Sequence, residues 1–357
     1  MKAKRIILSV IALCCTLVAG AEENQVPTAI LQHGTTMRLF KGYSAFKNAV
    51  EAAEEGDVIT LSQGVFEGDF QITKSVSIYG AGFEDHPEEG MEITEIKSSL
   101  YFGALDENTT LSKIHLEGIY ISNLYFGQLK NGSVNRPVSE LFVSKCRVKG
   151  DFVFKSDINT VNISCCVLNA VKGYPETIVV AKMDILNCYL SSTVYSLDPQ
   201  SNVLIDHCII GGYYDRNYLY AQFRFTNDIF ISSASYSNSN YWITHNGAGS
   251  YLDHCLYNLK RVGGYYGIEM HWDYGNIYDC VEVPYTEVFA DASNGEYSPE
   301  RTFELSKPNE WIDTDNTQIG ILGGDGFNKV PATPAVKSLE LGVSGTTLTV
   351  TYDAEVR

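Results

Sequence analysis

The chain has 357 residues, 45% of them hydrophobic and 19% charged, with a formal net charge of −17. That apolar content excludes a disordered chain, and the acidity excludes a nucleic-acid binder, which needs a basic surface. The length suits a sizeable core in a single all-β domain.

The first segment reads as an address. Met1-Lys2-Ala3-Lys4-Arg5 is basic, Ile6 to Val18 is almost wholly apolar, and Ala19-Gly20-Ala21 forms a small-residue cleavage site. This three-part pattern predicts a signal peptide over 1–21. The apolar run falls short of the ~20 residues of a membrane anchor, and no second long run follows. Lipidation is disfavoured, because Leu13 and Cys14, rather than small residues, precede Cys14 and Cys15. Cleavage removes Lys2, Lys4 and Arg5 and no acid, which deepens the charge from −17 to −20. The expected product has no transmembrane segment and is secreted, extracellular or held at the cell surface, with the periplasm as the other compartment.

A lead segment, 22–42, comes next. From Ser44 to Ala53, Phe46, Ala49, Val50 and Ala53 follow i, i+3, i+4, i+7 spacing. This predicts a short amphipathic helix with Ser44 as its N-cap. Such a helix can cover the open end of a solenoid, which otherwise exposes unpaired strand edges. Residues 55–68 and 70–80 then alternate between glycine turns as strands.

Seven cysteines remain after cleavage: 146, 165, 166, 188, 208, 255 and 280. The number is odd and no CxxC pair exists, so neither a disulfide framework nor a zinc ribbon is supported. Their surroundings repeat instead. Leu141-Phe-Val-Ser-Lys-Cys146, Val161-Asn-Ile-Ser-Cys-Cys166, Met183-Asp-Ile-Leu-Asn-Cys188 and Val203-Leu-Ile-Asp-His-Cys208 align. Ser250-Tyr-Leu-Asp-His-Cys255 and Gly275-Asn-Ile-Tyr-Asp-Cys280 continue the series, with Arg224-Phe-Thr-Asn-Asp-Ile229 as an Ile-bearing unit. A strand-like repeat just above about 20 residues predicts a solenoid. The corner position holds Lys145, Cys165, Asn187, His207, Asp228, His254 and Asp279. Asn, Asp and His tolerate the left-handed backbone that a one-residue corner needs. The next residue, Cys or Ile, points inward, and small apolar Cys is easily buried.

The helix followed by "EEGDVITLSQGVFEGDFQITKSVSIYGAG" and the N/D/H-Cys rungs resembles the secreted right-handed parallel β-helices of the pectin-lyase-like superfamily, over about 43–290. The resemblance implies an all-β, right-handed parallel β-helix with an N-terminal capping helix. The superfamily includes polysaccharide lyases, hydrolases, adhesins and non-enzymatic binders, so it implies no single activity. Paired aspartates of the polygalacturonase type and the lyase pattern R-x-P-x-x-R are absent. Val203-Leu-Ile-Asp-His-Cys208 resembles the W-I-D-H-C segment of pectate lyases with Leu204 in place of Trp. No metal or cofactor is assigned; Ca2+ fits the family, but no complete ligand set stands in the sequence. Residues 291–330 lose the repeat, although Asp315 to Gly324 is glycine-rich and strand-like. Pro331 and Pro334 mark a break, and 331–357 alternates as a small hairpin around Gly345.

Tyr213 to Tyr274 holds over a third of the aromatic rings in about a sixth of the sequence. Alternation places Tyr218, Tyr220, Trp242, Glu269 and His271 on one outer groove, with Arg216, Lys260, Arg261 and Asp273 on adjoining loops. Flat rings beside polar groups suit sugars, so Tyr218, Tyr220, Trp242, Trp272 and Arg216 are candidate carbohydrate ligands. In a lyase, Lys260 or Arg261 would neutralise a uronate and His271 abstract a proton; in a hydrolase, Glu269 and Asp273 would be the acid and base. The expected function is binding of an extracellular polysaccharide or glycoconjugate, with cleavage as its enzymatic form. The alternative is a non-catalytic surface adhesin or structural protein, in which the tyrosines form a structural ladder.

Overall fold

The structure is a computed structural model that describes residues 26–85, 93–192, 194–211, 221–231, 250–257, 277–292, 295–313, 315–332, 335–344 and 347–355. The signal segment expected over 1–21 lies outside these residues. The fold is a parallel β-solenoid, as the repeat predicts. Along its first sheet, Val58–Leu61, Ser77–Gly82, the first half of Leu111–Phe126, Val138–Ser144 and Ile158–Ser164 stack in parallel. Val180–Leu186, Asn202–Asp206, Gln222–Thr226, Tyr251–Asp253 and Ile277–Tyr278 continue it. The second sheet stacks Thr94–Phe102, the second half of Leu111–Phe126, Arg147–Phe154 and Val167–Gly173. Short strands ending at Leu190, Tyr195, Ile210, Phe230, Tyr257 and Glu282 complete it.

One residue turns the chain from the first sheet into the second. In Leu111–Phe126 it is Gly118, at φ 70°. In later turns it is Lys145, Cys165, Asn187, His207, Asn227, His254 and Asp279, with φ between 46° and 57°. The corners are stitched by backbone bonds: Asn187 N–H donates to Asp206 O and His207 N–H to Thr226 O.

One expected corner is wrong by a residue. Asn227, not Asp228, is left-handed. Asp228 instead takes the inward place that cysteine fills elsewhere. Cys146, Cys166 and Cys188 each donate their N–H to the thiol sulfur one turn on, at 3.4, 3.3 and 3.3 Å. Cys208 N–H donates to Asp228 Oδ1 at 2.7 Å. Ile229, expected inside, lies on the opposite side of its strand. Side chains alternate with period two, so the one-residue misalignment exchanged core for exterior. Asp228 is fully buried, and its Oδ2 has no hydrogen-bond partner among the described residues. Burial holds its pKa well above the usual carboxylate range, so it sits in the core as the neutral acid.

At the N-terminal end the helix forms as Ala45–Ala52 and buries Ala45, Phe46 and Ala49. Phe46 meets Phe70 at 4.6 Å between ring centroids. Ser44 makes no side-chain capping bond, a departure from its expected role; its ψ of 4° is not the extended geometry of a capping residue.

The chain after Val283 folds back on the solenoid. Phe289, Phe303, Leu305, Trp311, Ile319 and Ile321 cover the outward residues Val167, Tyr189, Ile209, Ile229 and Leu256 of the second sheet, which makes a second core outside the first. A strap, 318–332, then runs back over the corners. Gly320 N–H donates to Asn227 O, Asn187 Nδ2 donates to Ile321 O and Gly323 O, and Ala332 N–H donates to Glu117 Oε1. Buried Glu84 fastens it further, accepting from Tyr297 Oη and from Lys329 Nζ at 2.7 Å. Asp315 to Gly324, expected to be strand-like, is a run of turns. A Cβ on Gly323 would stand 2.3 Å from the His207 ring, so only glycine permits this approach. Ala335–Ser344 and Thr347–Glu355 form the C-terminal antiparallel hairpin. No helix among the described residues is long and apolar enough to cross a membrane.

Candidate functional site

The residues that the sequence singles out, Arg216, Tyr218, Tyr220, Trp242, Lys260, Arg261, Glu269, His271, Trp272 and Asp273, all lie outside the described residues. Their flanks are described. Segments 212–220, 232–249 and 258–276 leave after Gly211, Ile231 and Tyr257, in consecutive turns whose strand ends Ile210, Phe230 and Tyr257 are in register. The strands that follow them, Gln222–Thr226, Tyr251–Asp253 and Ile277–Tyr278, are again in parallel register with their neighbours. Counted between the same register positions, the connection 211–221 is as long as 191–201 in the preceding turn, and those that follow Phe230 and Tyr257 are longer. The described residues that precede these segments, Ile210, Phe230 and Tyr257, therefore stand in line on one edge of the solenoid.

The second sheet brings a described set of groups to that edge. Its outer face has two halves. The half nearest the corners is covered by the C-terminal segment. Register shifts between Ile96 and Ser99 and between Val148 and Asp151 mark the boundary, where extra residues re-aim the strands. Past these shifts, Gln71, Tyr101, Tyr125, Val153, Lys172 and Tyr195 stand in one row across successive turns. Tyr101 and Tyr125 stack with centroids 5.0 Å apart and planes 12° from parallel. Lys172 Nζ donates to Asp151 Oδ1 at 2.6 Å, and Tyr125 Oη to Asp151 Oδ2 at 3.5 Å. Lys155 Nζ lies 3.8 Å above the ring of Tyr174, which is 63% exposed.

The charges on this face are tuned against one another. Burial works against a charge on Lys172, but the hydrogen bonds to Asp151 and Tyr195 outweigh it and raise the lysine's pKa. Lys155 is shifted the other way, lowered by burial and by the Lys172 charge. The Tyr125 hydroxyl is raised by burial and by the Asp151 carboxylate. Lys172 is thus a fixed cation, while Lys155 is the group that gains most from an incoming anion or gives up its proton most readily. Because Tyr101 and Tyr125 are stacked on each other, the row offers their edges and hydroxyls, with Asp151, Lys172 and Tyr195, as a line of polar groups that can bond a sugar's hydroxyls. A shallow cleft of about 260 Å3 lined by Glu95, Lys97, Tyr120, Ser122 and Lys149 adjoins the row on the same strands.

Sequence reasoning missed this row, although a signal was present. Leu100-Tyr-Phe-Gly103 recurs as Leu124-Tyr-Phe-Gly127 one turn later. Phe102 and Phe126 stack inside at 4.8 Å while the tyrosines stack outside.

Two Asp-His-Cys corners were also noted in the sequence. His207 is 5% exposed and enclosed by the strap; its Nδ1 lies 3.2 Å from Asp206 Oδ1 and its Nε2 2.7 Å from Asp313 Oδ2. His254 stays partly open, with Nδ1 2.7 Å from Asp253 Oδ1. Asp253, His254 and Asp279 offer ligand atoms within 4.8 Å of one another and are the open set best placed to take a divalent cation. No family model matches the chain, and neither a curated protein nor a solved structure matches it.

Proposed function

We propose that this chain is an exported parallel β-helix protein, akin to the pectin-lyase-like superfamily, that binds an extracellular polysaccharide. The polymer lies along the solenoid axis, over the open half of the second sheet and on to the aromatic-rich segments at 212–276. The observation that carries this reading is the Tyr101–Tyr125 stack, continued in register by Lys172 and Tyr195 on the uncovered half of the face. Adjacent turns repeat about every 4.8 Å, so the row offers a periodic surface to a periodic ligand. The basic, apolar and small-residue order of 1–21 supports export. Cleavage is the narrower form of the reading: a lysine held charged beside one of lowered pKa suits acid–base work on an anionic sugar.

The test is a panel of neutral and uronate polymers, scored for both binding and unsaturated products. Binding that falls at least tenfold with Tyr125→Ala, at unchanged thermal stability, supports the site. Product formation lost with Lys155→Ala supports cleavage. A panel with no binder contradicts the reading.

A further inference from the structure

We propose that His207 and Asp313 form a pH-operated clasp that holds the turn 313–324 onto the solenoid and loosens as the solution becomes alkaline. The clasp is built from the returning segment and one corner. His207 sits at a left-handed corner, and its two ring nitrogens both face carboxylates: Nδ1 to Asp206 on its own turn and Nε2 to Asp313 on the returning segment. A neutral imidazole has one N–H and can donate to only one of them; donating to both requires the imidazolium. The carboxylates are well seated as acceptors. Asp206 Oδ1 also accepts from Thr226 Oγ1 at 2.7 Å and from Asn227 Nδ2 at 2.9 Å. Asp313 Oδ1 accepts the Asp315 N–H.

The charged and titratable groups facing the ring are Asp206 from its own turn, and Asp313 and Asp315 from the returning segment. Thr317 Oγ1 lies 3.4 Å from Nε2. Asp228, one turn on, is neutral in the core and adds no charge. Among the described residues, all the charge around the ring is therefore negative. Burial opposes protonation of His207, and the Asp206 and Asp313 contacts more than compensate, so its pKa is raised.

The sign follows from that direction. A raised histidine stabilises the closed turn fully below its unfolded value near 6.5, and the stabilisation is lost as pH climbs through the folded value. Asp206, lowered despite its burial by its bond to His207, protects the clasp on the acid side, whereas Asp313 is raised by burial and by its contact with Asp315 and takes a proton before Asp206 does. The rest of the strap is held by the Ala332 N–H bond to Glu117 Oε1, an acid of lowered pKa that keeps its charge in this interval, and within the turn Asn187 and the apolar cover at Ile319 and Ile321 do not titrate. Opening is therefore local to the turn, a sub-global event rather than release of the whole segment.

Hydrogen exchange of the full chain between pH 6 and 9 tests this, with each variant compared with wild type at the same pH so that the intrinsic rate cancels. His207→Gln keeps one donor but cannot titrate. At pH 6 its amides in 313–324 should exchange faster than wild type, and the excess should shrink by up to tenfold per pH unit as wild type loses its own charge. Asp313→Asn should give the same convergence without altering the corner. Protection in 141–206 should stay unchanged in both, which shows that the solenoid is intact. A variant-to-wild-type ratio that stays constant with pH, or a loss of protection spread over the solenoid, overturns the clasp.

Discussion

The two halves of the second sheet's outer face share the same strands and the same pleat, yet one is a core and the other a surface. The half beside the corners carries Val167, Tyr189, Ile209, Ile229 and Leu256 and is roofed by the returning C-terminal segment. The half beyond the register shifts carries Tyr101, Tyr125, Lys172 and Tyr195 beside the buried Val153, and none of the described residues of that segment belongs to a core over it. The difference is chemical. Aliphatic residues on a solenoid exterior must be covered, because leaving each exposed costs about 1.5–3 kcal/mol. Stacked tyrosines and paired ions are stable in water and leave ring edges, hydroxyls and charges for a ligand. The covered half should therefore govern stability, and the open half binding.

The largest effect that would break this division lies in the roof. Phe303→Ala, at a ring 3% exposed and tilted against Tyr189 with centroids 6.0 Å apart, should cost about 3–5 kcal/mol in denaturant unfolding. Glycan affinity per folded molecule should not change.

Next in size is the ladder. Asp228→Cys restores the sulfur acceptor for Cys208 N–H and removes a buried oxygen without a partner. It should stabilise by about 1–3 kcal/mol at neutral pH. Because the folded pKa of Asp228 is raised, wild type loses stability as pH rises above the unfolded value of 3.8, and the gain should fade on acidification. Unfolding curves at pH 4 and pH 7 check both points.

On the open half, Tyr125→Ala should weaken glycan binding about tenfold, equivalent to about 1.4 kcal/mol, with little shift in Tm. Calorimetric titration and thermal scans of the same preparations read the two quantities together. The smallest effect should come at the far end, where Ser44→Ala should change stability by less than about 0.5 kcal/mol, since no capping bond is lost.

Much of the fold was legible because a solenoid writes itself repeatedly into its sequence. The corner residues and buried cysteines recur turn after turn, so Lys145, Cys165, Asn187, His207, His254 and Asp279 were placed correctly as corners. The misread turn was the one in which the ladder changed chemistry. An aspartate in a row of thiols looks like a polar corner, and only its contact with Cys208 N–H shows that it points inward. The C-terminal segment was illegible for a different reason. It has no period, and its place is fixed by bonds across more than a hundred residues, such as Asn187 to Gly323 and Lys329 to Glu84. The outer tyrosine row is legible in the paired Leu-Tyr-Phe-Gly sequences, but it holds few rings beside the dense aromatics at 213–274. Composition marks where rings are numerous, whereas register decides which of them stack.

The central claim is that the open half of this face is where the ligand sits. Its most direct test is binding of one polymer from the panel to wild type, Tyr125→Ala and Phe303→Ala, each measured alongside its unfolding curve. The account predicts that Tyr125→Ala loses affinity and keeps stability, while Phe303→Ala loses stability and keeps the affinity of its folded fraction. Full affinity in Tyr125→Ala, with weakened affinity in folded Phe303→Ala, would place the ligand on the covered half and contradict it.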